Sequence, residues 1–336
     1  MNVEGEWNGV QMVEKGGISV TTTGNHTLSD QAAAWVIDSI QPGAAVVSAE
    51  RLKGGVSSVV HGITLLADGN ERHVVLRQID NADWLQSQPD IARQEAESLR
   101  KALLAGGGRT PALLAYDETG SQSGMPAVLM SRLEGRVVLE PADMSLWLDG
   151  LARELALLHG IEAEDHAWTF GAYADASKLD ASRWTSIPEA WKTASAIVTG
   201  HRPAFEKRFI HRDYHPCNVL WKDGEVSGVV DWVNGCIGPA GVDVGHCRVN
   251  LALLHGVRQA DEFLERYRHY AEESFAYDPY WDLVTLIDFA FWQPEVYAGW
   301  TDLGVTGLTA RLMVERLDAY VSSLLRRYED MREDGR

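Results

Sequence analysis

The chain has 336 residues, 45% hydrophobic and 23% charged, which suits two lobes around a sizeable core and excludes a fibrous or disordered protein. A formal charge of -18 opposes a nucleic-acid partner, which needs a basic face, and favours cationic ligands, although acidity also serves solubility. No apolar run is long enough to span a bilayer, the first residues lack the basic and apolar regions of a secretory signal, and three cysteines at 217, 236 and 247 make no disulfide framework, so a cytoplasmic protein is expected.

Residues 1–28 carry many Gly, Thr and Asn without periodicity, which predicts a loosely ordered arm. SDQAAAWVIDSI predicts a short capped helix, and VVSAERL, VVHGITLLA and RHVVLRQI predict three strands, the last two joined by the turn ADGNE. Between the first two strands, KGGVSSV is small and glycine-containing, as a loop over phosphates or an ordinary hairpin turn would be. A helix beginning near Pro89 sets Glu95 roughly 40° from Leu99, on the face shared with Ile91 and Leu103, while Glu97 points roughly 160° away. An inward acid needs a partner, and Arg77 on the third strand is the candidate. PALLAYD and PAVLMS predict two more strands and complete a small lobe.

From about residue 142 the pattern turns helical: Met144, Leu148, Leu151, Leu155 and Leu158 repeat at four and three and end at Gly160. Residues 161–208, with Trp168, Trp184 and Trp191, predict short helices and loops. In FIHRDYHPCNVLWKDGEVSGVVDW, the β-prone runs around Asp223 and Gly224 predict a hairpin that brings Asn218 close to Asp231. Asp213 lies five residues before Asn218, and two carboxylates with an amide suit a hard cation that also binds phosphate, such as Mg²⁺. His211, His215 and Cys217 offer an alternative zinc trio, with no obvious fourth ligand. Asp243 reads as the N-cap of the following helix, and residues 258–328 predict three amphipathic helices, the middle one broken near Pro294.

The spacing H-R-D-x-x-x-x-N followed by a second Asp resembles the catalytic loop and metal-binding Asp of the protein-kinase-like fold. Only eleven residues separate Asp231 from Asp243, with no D-F-G and no A-P-E. This compact ending, with HPCN in the loop and G-P-x-x-x-D after it, resembles the aminoglycoside phosphotransferase family, the small-molecule branch that includes choline, homoserine and macrolide kinases. The resemblance implies an α+β bilobal fold with a small antiparallel-sheet lobe over 29–133, a hinge at 130–133 and a mostly helical lobe over 134–330.

It also implies an ATP- or GTP-dependent, Mg²⁺-assisted kinase of a small-molecule hydroxyl, with no protein partner. In that frame Asp213 is catalytic, Asn218 and Asp231 hold Mg²⁺, and His211 and Asp243 support the loop, in which Cys217 stands where Gly is usual. Gly55, Ser57 and Ser58 cover the nucleotide, Arg77 replaces the usual phosphate-binding Lys and works with Glu95, and Ser131 and Leu133 meet the base. The family binds its acceptor among the late helices, where residues 261–295 hold nine acids against two arginines. Asp282, Asp288 and Trp292 are the candidate wall for a cationic acceptor such as an aminoglycoside or macrolide. A housekeeping metabolite kinase, or a nucleotide-binding protein without turnover, is the alternative.

Overall fold

A computed structural model of the chain describes residues 28–52, 58–106 and 108–334. It divides into two compact units between Glu134 and Gly135. The N-terminal unit opens with α1 (Asp30–Ile40), whose first turn is closed by Ser29 accepting from the Ala32 amide. Five strands follow, β1 (Ala45–Arg51), β2 (Val59–Ala67), β3 (Asn70–Gln78), β4 (Leu113–Asp117) and β5 (Ala127–Ser131), in one antiparallel sheet of order β1-β2-β3-β5-β4.

Period-2 burial along β2 and β3 points Ile63, Leu65, Val74 and Leu76 at Ala32, Trp35 and Val36 of α1, and Ala127 and Leu129 complete that core. Between β3 and β4 run α2 (Ala82–Ser87) and α3 (Ile91–Ala102), the latter packed on β4 and β5. The six residues of α2, capped by Asn81, bury nothing, so no periodicity announces them in the sequence.

The C-terminal unit contains β6 (Arg136–Val137), α4 (Met144–His159), α5 (Pro188–Thr199), β7 (Lys207–Ile210), β8 (Val219–Lys222), β9 (Glu225–Val229) and β10 (Cys236–Pro239). It ends in α6 (Ala240–His255), α7 (Val257–Ala271), α8 (Pro279–Asp288), α9 (Ala298–Asp302) and α10 (Ala310–Asp334). β6, β8 and β9 form one small sheet and β7 with β10 another. Every α6 residue from Ala240 to Leu254 is buried, as expected of a helix enclosed on all sides. At Gly245 an added Cβ would lie 2.6 Å from the Thr285 hydroxyl, so glycine is what lets α6 and α8 approach closely.

Two boundaries differ from expectation. α6 begins immediately after Pro239, so Asp243 lies inside its first turn and is not its N-cap, which frees the carboxylate to face another element. The middle late helix stops at Asp288, well before Pro294, and resumes only as the short α9. No helix among the described residues is long and apolar enough to cross a membrane.

Candidate active site

The β8–β9 hairpin turns on Asp223 at φ 53° and Gly224 at φ 84°, the two positive values that a tight hairpin turn requires. Its open end pairs Val219 with Val229, and the Val230 amide donates to the Asn218 carbonyl at 2.9 Å. Asn218 and Asp231 therefore sit at adjacent strand ends, although thirteen positions apart in the sequence, with Asp231 in the left-handed region at φ 69°. Asn218 spends its amide N–H group on the Asp213 carbonyl at 2.9 Å and faces Asp213 Oδ2 at 3.4 Å, which leaves its own Oδ1 as an acceptor end. An amide oxygen and a carboxylate are hard donors of the kind Mg²⁺ takes, so the residues present fit that ion.

Asp213 keeps 26% of its side chain exposed, and its Oδ1 lies 3.0 Å from His246 Nε2 and 3.8 Å from His215 Nε2. Burial raises its carboxyl, but charge interaction with His215 and the hydrogen bond from His246 outweigh that and hold it well below the usual carboxylate range. Burial also pushes the His215 ring down to about 4, against the raising effect of Asp213, so His215 is neutral near pH 7 and the His246 bond carries the effect there. His246 was not singled out in the sequence. Its one signal is position, three residues after Asp243 and so on the same helical face.

The loop is held from below. His211 Nδ1 accepts from the Asp213 amide at 3.3 Å, which leaves Nε2–H to donate to the Val230 carbonyl at 2.9 Å. Both ring nitrogens are thus committed, and the zinc trio of His211, His215 and Cys217 does not assemble. Asp243 accepts from the amides of His211 and Arg212, both at 2.7 Å, and from His159 Nε2 at 3.1 Å, while the far nitrogen of His159 pairs with the Tyr267 hydroxyl at 2.6 Å. Arg212 takes φ 71°, donates to the Gly171 carbonyl at 3.0 Å, and lays its guanidinium 3.7 Å from the Tyr173 ring centroid and 4.6 Å from that of Phe170. Stacking and the Asp243 bond hold a backbone shape that an arginine otherwise avoids.

In the N-terminal unit, Arg77 Nε lies 3.3 Å from Glu95 Oε1, with side chains 8% and 1% exposed. Glu97 pairs instead with Arg100 at the surface. Ser58 is buried at the foot of β2, while Gly55 and Ser57 lie outside the described residues. At Ser131 the amide donates to the Ala112 carbonyl at 2.9 Å and the hydroxyl accepts from the Ala112 amide at 2.8 Å, so these two groups serve the sheet edge. Leu133, half-buried beyond β5, remains the candidate for the base.

The acceptor candidates separate by environment. Asp282 is 1% exposed and bound by Arg248, by the Tyr277 hydroxyl at 2.7 Å and by the Tyr320 hydroxyl at 3.1 Å. With Asp261 also on Arg248 at 2.7 Å, this node ties α6, α7, α8 and α10 together, so Asp282 is a core residue and not part of an acceptor wall. Asp288, at the end of α8, is half-buried, and burial pushes its carboxyl up to about 6 against the charges of Arg212 and His246. Trp292 is 63% exposed. All three cysteines are free; burial pushes the thiols of Cys217 and Cys236 up to about 12 and that of Cys247 well above its usual value.

An ionised carboxylate on a braced loop, beside a pair of hard oxygen donors, is the kind of arrangement that phosphoryl transfer uses. Residues 50–283 match the model of the phosphotransferase enzyme family (APH), and the chain belongs to that family. No curated protein matches it.

Among solved structures it is similar to a candidate aminoglycoside phosphotransferase from Ralstonia eutropha JMP134, at 17% identity and a TM-score of 0.57, covering 88% of this chain and 98% of that one. It is also similar to a thermostable mutant of the aminoglycoside phosphotransferase APH(4)-Ia in a ternary complex with AMP-PNP and hygromycin B, at 16% identity and a TM-score of 0.58, covering 88% and 99%. LicA in complex with AMP is 12% identical, with a TM-score of 0.59 and 87% and 97% covered. These likenesses define the fold as α+β and protein-kinase-like, an antiparallel-sheet unit followed by a mostly helical one.

Proposed function

We propose that this phosphotransferase moves the γ-phosphoryl group of ATP or GTP to a hydroxyl of a small, positively charged molecule, with Asp213 as the catalytic residue. The carrying observation is the setting of Asp213: an ionised, partly exposed carboxylate whose backbone and side chain are fixed by Asn218, His211 and His246. A base so far below the acceptor's own pKa orients the hydroxyl first and takes its proton late, as a loose phosphoryl-transfer transition state allows.

Asn218 and Asp231 hold Mg²⁺, which when bound supplies charge neutralisation at the phosphates. In the N-terminal unit, Arg77 contributes a phosphate-binding cation whose direction Glu95 fixes, and Arg and Lys are not interchangeable in that role. For the acceptor, the formal charge of -18, the half-buried Asp288 and the exposed Trp292 support a cation, and the complex of APH(4)-Ia with hygromycin B supports an aminated one.

The test is nucleotide turnover across a panel of aminated and uncharged alcohols, with the Asp213→Asn protein as control. Phosphorylation of one or more aminated acceptors, lost in the control, is expected; turnover unchanged by Asp213→Asn would overturn the assignment.

A further inference from the structure

We propose that Asp213, His215 and His246 form a binding site for a borderline divalent ion of the Zn²⁺ class, and that filling it takes the Asp213 carboxylate out of use. Its inhibitory consequence rests on the catalytic reading of Asp213; the binding itself does not. Asp213 and His215 come from the catalytic loop and His246 from the second turn of α6, so packing alone assembles the trio. One candidate ligand atom from each residue lies within 4.8 Å of the other two, with Asp213 Oδ1 at 3.0 Å from His246 Nε2 and 3.8 Å from His215 Nε2.

Tetrahedral zinc, with bonds of about 2.0–2.2 Å, sets its ligand atoms roughly 3.3 Å apart, so the two measured separations bracket the requirement. Both rings are buried, their centroids 5.6 Å apart, while the 26% exposed Asp213 side chain leaves a path for the ion and a position for water. His215 Nδ1 is enclosed with no hydrogen-bond partner, so no bond from that atom ties the ring to its present tilt.

Two imidazoles and one carboxylate favour Zn²⁺ or Co²⁺, whereas the oxygen donors of Asn218 and Asp231 favour Mg²⁺, so neighbouring sites discriminate by donor chemistry. Asn218 faces Oδ2 of Asp213 and the histidines face Oδ1, so each oxygen has its own surroundings. Binding takes the lone pair of His246 Nε2, so the proton that bridges His246 and Asp213 shifts to Nδ1 and the ring stays a neutral ligand.

The untagged full-length chain is titrated with Co²⁺ and followed by its visible absorption, then with Zn²⁺ by calorimetry. One equivalent is expected to bind with the intense bands of low-coordinate cobalt, and His246→Gln and His215→Gln should each weaken binding at least tenfold, their folding checked by thermal melts. If His246→Gln does not fold, His215→Gln makes the same comparison.

Absence of stoichiometric binding, or wild-type affinity in the folded variants, would overturn the site. Phosphoryl transfer at saturating Mg²⁺-nucleotide should fall with added Zn²⁺ in proportion to occupancy. Stoichiometric Zn²⁺ binding with undiminished transfer would keep the site and overturn both the blockade and the catalytic role of Asp213.

Discussion

Replacing Asp243 by Asn tests how the catalytic loop is held. The carboxylate is 0% exposed and accepts three hydrogen bonds, one at Oδ1 from the Arg212 amide and two at Oδ2 from the His211 amide and His159. An amide retains a single oxygen. If that oxygen faces His211 and His159, the Arg212 N–H meets a second donor, losing a charge-assisted bond worth about 1.5–3 kcal/mol, and the two survivors weaken to neutral strength.

Asp243→Asn should therefore destabilise the loop by about 3–4 kcal/mol at pH 7, close to a three-hundredfold change in the local opening constant. Hydrogen exchange at the His211 and Arg212 amides measures it directly, with urea unfolding as the global comparison.

The pH dependence has a definite sign. Burial raises the Asp243 carboxyl, but the bond and charge of His159 and the loop amides overcome this and lower it. The stabilisation is full above the unfolded value near pH 4, and it is lost as pH falls through the lower folded value. The gap between wild type and Asp243→Asn should narrow in acid. A cost below about 1 kcal/mol at pH 7, or a gap that does not narrow as pH falls below the unfolded value near 4, would refute the bracing role.

Asp213→Asn should lower turnover about a hundred- to ten-thousand-fold while sparing nucleotide affinity, whereas Asp231→Asn should also weaken Mg²⁺-nucleotide binding; kinetics and calorimetry on both variants check the division. Glu95→Ala removes the buried carboxylate that faces the Arg77 guanidinium and should cost about 3–5 kcal/mol in denaturant unfolding, against less than about 1 kcal/mol for the surface change Glu97→Ala. Because the Asp288 carboxyl is pushed up to about 6, the KM of a cationic acceptor should fall as pH rises from 5 to 7, and the profile of Asp288→Asn should be flat in that window.

The β8–β9 hairpin was legible because its determinants are local: Asp223 and Gly224 fix the turn, and the turn fixes the register that sets Asn218 beside Asp231. Glu95 was legible because helical phase alone separates it from Glu97. Asp243 misled because a cap and a first-turn acid look alike in sequence, and only the start of α6 at Ala240 distinguishes them. Asp282 and Asp288 are about 120° apart on one helix, so composition groups what packing separates. His246 had no sequence neighbour to explain it, since its partner on the catalytic loop is thirty-three positions away and meets it only through the tertiary fold.

Two buried thiols and one half-buried one, Cys217, have a practical consequence. Alkylating reagents attack thiolates, and thiols pushed this far up are almost wholly protonated at neutral pH, while Cys236 and Cys247 are buried as well. The wild-type chain is therefore a nearly silent background for maleimide labelling. A single cysteine placed at an exposed position such as Leu104 or Leu146 would carry a fluorophore or spin label without first stripping the native cysteines, and so without disturbing the loop around Cys217.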